Sequence, residues 1–119
     1  MKIAVTTKAA SPDSAMDERF GRAAKFAIYD TEKKEYSFHD NTRNLQAAQG
    51  AGIQTAGNVV CLGCEALLTG HCGPKAYAVL RKSGVQVYCV NNKSVAVAVE
   101  DFLSGRLAAL TAADVEGHW

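Results

Sequence analysis

The chain has 119 residues, 48% of them apolar and 21% charged, with 13 Lys and Arg against 12 Asp and Glu. One domain of ordinary size is expected over 1–119, and the even charge excludes duplex-DNA binding by bulk charge and a polybasic membrane anchor. No apolar run is long enough to cross a membrane and the amino terminus lacks a secretory leader, so the sequence reads as cytoplasmic, with its four cysteines as reduced thiols or metal ligands.

Lys2 to Thr7 is a β-branched run with Ile3 and Val5 on one face, which predicts a first strand. Residues 8–17, holding Ser11-Pro12-Asp13-Ser14, predict a loop. Phe26 to Asp30 and the alternating stretch Glu35 to Asp40 predict an antiparallel hairpin around the polar turn Thr31-Glu32-Lys33-Lys34. From Asn44 to Gly63, Leu45, Ala48, Gly52, Ala56 and Val59 recur at three and four residues, the period of a helix packed by small side chains. Gly50, Gly52 and Gly57 either delay its start to near Gly52 or mark a close approach of backbone or ligand.

Glu65 to Thr69 predicts a fourth strand and Gly70-His71-Cys72-Gly73 a tight bend. Pro74 suits the first turn of a helix that ends at Ser83-Gly84. Val85 to Val90 predicts a fifth strand with Val85, Val87 and Cys89 facing inward. Ser94 caps a last helix striped by Val95, Ala98, Val99 and Phe102 and stopped at Gly105. The remainder, 105–119, is an unassigned tail expected to be partly disordered.

This order predicts an α/β domain with a five-stranded mixed sheet, a leading hairpin followed by βα units. Right-handed crossovers place strand one beside strand four, strand five beyond four, and the hairpin on the other side of strand one. The switch point then falls between strands one and four, whose carboxyl ends form the crevice where open α/β sheets bind ligands.

Gly70-His71-Cys72-Gly73-Pro74-Lys75 lies on that edge. Its glycines let the backbone bend towards a ligand, and the following helix start offers N–H groups and a dipole that favour an anion. Cys72, with Lys75 close by, has the setting of a stabilised thiolate, and His71 and Cys72 are both suited to a borderline or soft metal. A plain Gly-Pro turn with two incidental polar residues fits the same letters. Arg19, Arg22 and Lys25 bracket Phe20-Gly21 as a positive wall for an anion or, alternatively, as a solvated loop paired with Asp17 and Glu18.

Cys61-x-x-Cys64 closes a helix and has no second pair, so both thiols are expected to be buried and structural, and Cys89 to sit in the core. His39 and His118 read as surface or packing residues. No nucleophile elbow, Walker loop or dinucleotide fingerprint occurs, and Asp13, Asp17, Asp30 and Asp40 are scattered. A binding crevice is expected, not an enzyme.

Met1-Lys2-Ile3-Ala4-Val5, Phe20-Gly21-Arg22-Ala23, Ala48-Gln49-Gly50-Ala51-Gly52-Ile53, Thr69-Gly70-His71-Cys72-Gly73-Pro74-Lys75-Ala76 and Val115-Glu116-Gly117-His118-Trp119 together resemble the dinitrogenase iron–molybdenum cofactor biosynthesis family. Its members include NifX-like carriers, the carboxyl-terminal domain of NifB, and a stand-alone protein that holds a molybdenum–copper sulfide cluster. The resemblance implies a ribonuclease-H-like three-layer fold that binds or transfers a metal–sulfur cluster without catalysing a reaction.

The reading is therefore a carrier for an anionic molybdenum-containing cluster, either a molybdenum–copper sulfide or one like the iron–molybdenum cofactor. The expected site comprises Arg19, Arg22, Lys25, Gly70, His71, Cys72, Gly73 and Lys75, with His71 and Cys72 the candidates for direct metal bonds. Expected partners are proteins of cluster transfer or of an ATPase-containing complex, with neither nucleic acid nor membrane. An interaction module docking an ATPase-type partner is the alternative; a nuclease is a third reading, weakened by the scattered carboxylates.

Overall fold

The computed structural model describes residues 1–20, 23–41, 51–90 and 93–109. The expectations for Arg22, for a helix start over 44–50, and for the tail beyond 109, with His118 and Trp119, lie outside the described residues. The elements are β1 (Lys2–Thr7), β2 (Lys25–Asp30), β3 (Glu35–Asp40), α1 (Ala51–Cys61), β4 (Ala66–Thr69), α2 (Pro74–Lys82), β5 (Gln86–Cys89) and α3 (Val95–Leu103).

The sheet order is β3-β2-β1-β4-β5. β1 is antiparallel to β2 and β2 to β3, whereas β1 and β4, and β4 and β5, run parallel. This is the arrangement that a leading hairpin and right-handed crossovers require. It puts the loops after β1, β4 and β5 on one edge.

Alternation along β1 sends its neighbours to opposite sides. Ile3 and Val5 join Ala66 and Leu68 beneath Val95, Ala98 and Val99 of α3. Ala4 joins Ile28, Leu67 and Val87 beneath Ala56 and Val59 of α1 and Ala76 and Leu80 of α2. The core is thus split into two layers by the sheet, with α1 and α2 on one face and α3 on the other.

Local chemistry sets the helix ends. Ser94 Oγ accepts the Val97 N–H at 3.3 Å and starts α3, and Gly105, at φ +73°, lets the chain leave it. Gly57 marks no close approach, because a Cβ there would meet nothing within 4 Å.

Two thiols differ from expectation. Cys61, the last residue of α1, is exposed, while Cys64 is buried and its thiol is pushed up to about 11 by that burial, with Lys2 pulling weakly the other way. Cys89 is only half-buried, since it lies near the carboxyl end of β5, and its Sγ–H donates to the Gly70 carbonyl at 2.9 Å.

Candidate functional site

The chain after β1 forms a strap along the carboxyl edge of the sheet. It turns back so that Thr7 bridges Met16, Ala15 bridges Ser94, and Arg19 runs beside His71. The Asp17 N–H donates to the Thr6 carbonyl at 3.0 Å and the Met16 N–H to that of Lys93 at 3.1 Å. The His71 N–H donates to the Glu18 carbonyl at 2.7 Å, and the Phe20 N–H to the His71 carbonyl at 3.2 Å. Inside the strap, the buried Thr6 hydroxyl donates to the Asp17 carbonyl at 2.6 Å and lies 3.0 Å from Thr69 Oγ1. The loops after β1, β4 and β5 are therefore sewn together by backbone hydrogen bonds.

Between them lies a groove of about 730 Å³. Lys8, Arg19 and Lys93 line it with His71, and so do Asp13, Asp17 and Glu18. Among the described residues, three basic side chains thus face three carboxylates, in place of a uniformly positive wall. Asp17 is buried, accepts the Arg19 backbone N–H at 3.1 Å, and lies 3.9 Å from Arg19 Nε, so part of the pairing foreseen between Arg19 and its acidic neighbours is present.

Of the residues expected at the site, Arg19 and His71 come together in the groove wall. Lys25 begins β2 opposite Thr7, is ion-paired with Asp40, and lies outside the groove. Lys75 stands exposed in the first turn of α2, also outside the groove walls. Cys72 is fully buried in the core cluster that holds Phe20, Ala76 and Leu80, and its Sγ is 3.8 Å from the Gly73 carbonyl. The bend turns its thiol inward, away from the open thiolate setting the sequence suggested.

Gly73 is the buried N-cap residue of α2, with extended backbone and no side-chain cap. Gly70 is glycine because of this chain itself: a Cβ there would lie 2.7 Å from both Glu18 Cα and Glu18 O. The sequence assigns that bend to the approach of a ligand; at Gly70 the structure gives the space to the strap instead. Among the described residues no three of His, Cys, Asp and Glu gather where they could hold a metal ion.

Lys93 is a groove residue that sequence reasoning passed over, and Asp17, read there only as a charge partner in a solvated loop, is a buried part of the groove wall. The rule that singles out the carboxyl ends of β1 and β4 applies equally to β5, and Lys93 stands just before the Ser94 cap. Behind it, Asp101 of α3 is a buried carboxylate ion-paired with Lys93 and bonded to Arg106 NH1 at 3.0 Å. The Lys93 hydrogen bond first, and then that of Arg106, hold its carboxyl below the ordinary 3.8.

Sheet order and groove together define an open α/β domain that presents a charged cleft at its switch point. The profile of the dinitrogenase iron-molybdenum cofactor family matches residues 1–105, and the chain belongs to that family. It is 34% identical to the orange protein of Desulfovibrio gigas, whose apo form superposes with a TM-score of 0.94 over 96% of each chain. A Thermotoga protein described as NifB and placed in the DUF35 family is 33% identical, with a TM-score of 0.84 over 98% of each chain. An uncharacterized protein of Methanocaldococcus jannaschii is 30% identical over 109 residues, which is 90% of this chain and 89% of that protein.

Proposed function

We propose that this protein is a carrier whose cargo is an anionic metal–sulfur cluster containing molybdenum, such as a molybdenum–copper sulfide, held non-covalently in the groove at the ends of β1, β4 and β5. The cargo is taken up and handed on; it is not a reactant. One observation carries the reading: in a chain of the iron-molybdenum cofactor family, the strap draws Arg19 and His71 together at the switch point, around a groove large enough for a cluster. The apo form of the orange protein adds to it, since a protein solved as an apo form is one that takes up a ligand.

Sulfide-rich clusters present soft, negatively charged acceptors. Lys8, Arg19, Lys93 and His71 supply N–H donors from three separate loops, a geometry that surrounds a compact guest. The Asp17 contact leaves Arg19 oriented before the guest arrives. Holding by charge and hydrogen bonds, without a metal–protein bond, leaves nothing covalent to break on delivery to a partner protein.

Anaerobic titration with tetrathiomolybdate and Cu(I), followed by gel filtration, visible absorption and metal analysis, tests the reading. Retained colour with charge-transfer bands is expected. Arg19→Ala and Lys93→Met should each weaken uptake roughly tenfold, as loss of one charge-assisted contact does. Cys72→Ala should melt at a lower temperature yet still take up the cluster, whereas a thiolate ligand predicts that uptake disappears. Colour that passes through unretained, or is retained equally by both cation variants, overturns the proposal.

A further inference from the structure

We infer that Asp101 is a positioning residue for the groove: from inside α3 it holds the Lys93 ammonium at the wall where an anionic guest is received. The inference rests on the groove reading above and names a residue outside the groove that acts on its wall.

Lys93 has a long, flexible stem and a compact, strongly hydrated charge, and about 41% of its side chain is exposed. Left alone it would sample many rotamers, and each guest bound would have to immobilise it again. Asp101 removes that freedom beforehand. Its carboxylate is buried on α3, a helix packed under Ile3, Val5 and Leu68, so it cannot follow Lys93 outward. One oxygen takes the Lys93 ammonium and the other the Arg106 guanidinium at 3.0 Å. Arg106 is further fixed by its own N–H, which donates to the Asp101 carbonyl at 3.0 Å. The Lys93 backbone is held as well, through its carbonyl and the Met16 N–H. A carboxylate with both oxygens engaged on a rigid helix makes a fixed anchor, and only the Lys93 arm of it reaches the groove.

Charge and position predict opposite effects, which makes the role separable. If Asp101 acted only through its negative charge, removing it would tighten binding of an anion in the nearby groove. If it aims Lys93, removing it weakens binding, because the ammonium must be ordered during uptake.

The experiment measures tetrathiomolybdate–Cu(I) affinity, at one salt concentration, for the full chain and for Asp101→Asn, Lys93→Met, the double variant and Arg106→Gln. Asp101→Asn should weaken affinity about threefold to fivefold, a fraction of the loss from Lys93→Met, in keeping with one immobilised side chain. The double variant should match Lys93→Met alone, because Asp101 acts through Lys93. Arg106→Gln should stay within about twofold, since the Lys93 bond survives.

Tighter or unchanged binding by Asp101→Asn, beside a weakened Lys93→Met, overturns this inference and leaves the groove reading standing. An unaffected Lys93→Met overturns both. Additive losses in the double variant, or a loss from Arg106→Gln as large as that from Asp101→Asn, assign Asp101 to the general integrity of α3 and also overturn it. Should Asp101→Asn fail to fold, nitrogen NMR of the unaltered protein decides: a braced Lys93 ammonium gives a slowly exchanging Nζ signal, and its absence sinks the inference.

Discussion

Two helices begin on the same edge of the sheet and are finished in different ways. At α3 the chain satisfies the helix itself: Ser94 Oγ takes the Val97 N–H, and the strap offers the Ser14 carbonyl to the Val95 N–H at 3.0 Å and the Pro12 carbonyl to that of Ala96 at 2.9 Å. At α2 no side chain caps the first turn, which opens on Gly73 and Pro74 just beyond His71. The two helices carry dipoles of the same sense, so dipole direction alone does not tell an open end from a closed one. What separates them is where the strap lands. Its carbonyls close α3, while its Glu18 and Arg19 lie alongside the bend that leads into α2.

Three changes would break or sharpen that contrast. The largest effect is expected from Gly70→Ala, which puts a Cβ against the Glu18 backbone and forces the strap off the bend. A loss of about 2–3 kcal/mol is expected from overpacking, read by urea unfolding, together with loss of cluster uptake. Full stability in that variant would mean that the strap rests on the bend without being fixed by it.

Next comes Ser94→Ala, which removes the cap on the closed helix and should cost about 1 kcal/mol in the same assay. Full stability in that variant would show that the strap carbonyls alone hold the start of α3.

The smallest effect is on acid stability. Because Asp101 titrates below 3.8 when folded, the stability it supplies is present above the ordinary carboxylate range and is lost as pH falls through that lowered value. Asp101→Asn should therefore flatten the acid limb of the stability–pH curve and leave the neutral region parallel to that of the unaltered chain. An unchanged acid limb would remove Asp101 as an anchor of α3.

Much of the fold was legible because its signals are local. The β-branched run of β1 and the alternation of β3 fix those strands at their observed bounds, and the handedness of the crossovers then leaves little choice of sheet order. Ser94 and Gly105 mark the ends of α3 by capping chemistry that acts within a few residues. The site was legible only in outline. Arg19 and His71 were singled out and do line the groove, yet the Ala15–Ser94 bridge joins residues far apart in sequence and has no periodic trace. Gly70 reads in sequence as room for a ligand, and only the fold shows that the Glu18 backbone takes that room. Cys72 read as a stabilised thiolate and a candidate metal ligand because a bend in sequence does not disclose which way its side chains turn, and here the thiol packs with Phe20 and Leu80. Asp101 was hidden beside Glu100 in a helix whose other residues are apolar, where two adjacent carboxylates read as part of the solvent face.

The strap that closes α3 also makes that helix a reporter. The amides of Val95 and Ala96 are bonded to carbonyls of Ser14 and Pro12, not to their own helix, so they become open to deuterium whenever residues 8–17 lift away. Their exchange rates, compared with those of amides deeper in α3, give the frequency at which the mouth of the groove breathes, and a guest that bridges the strap should slow those two positions together.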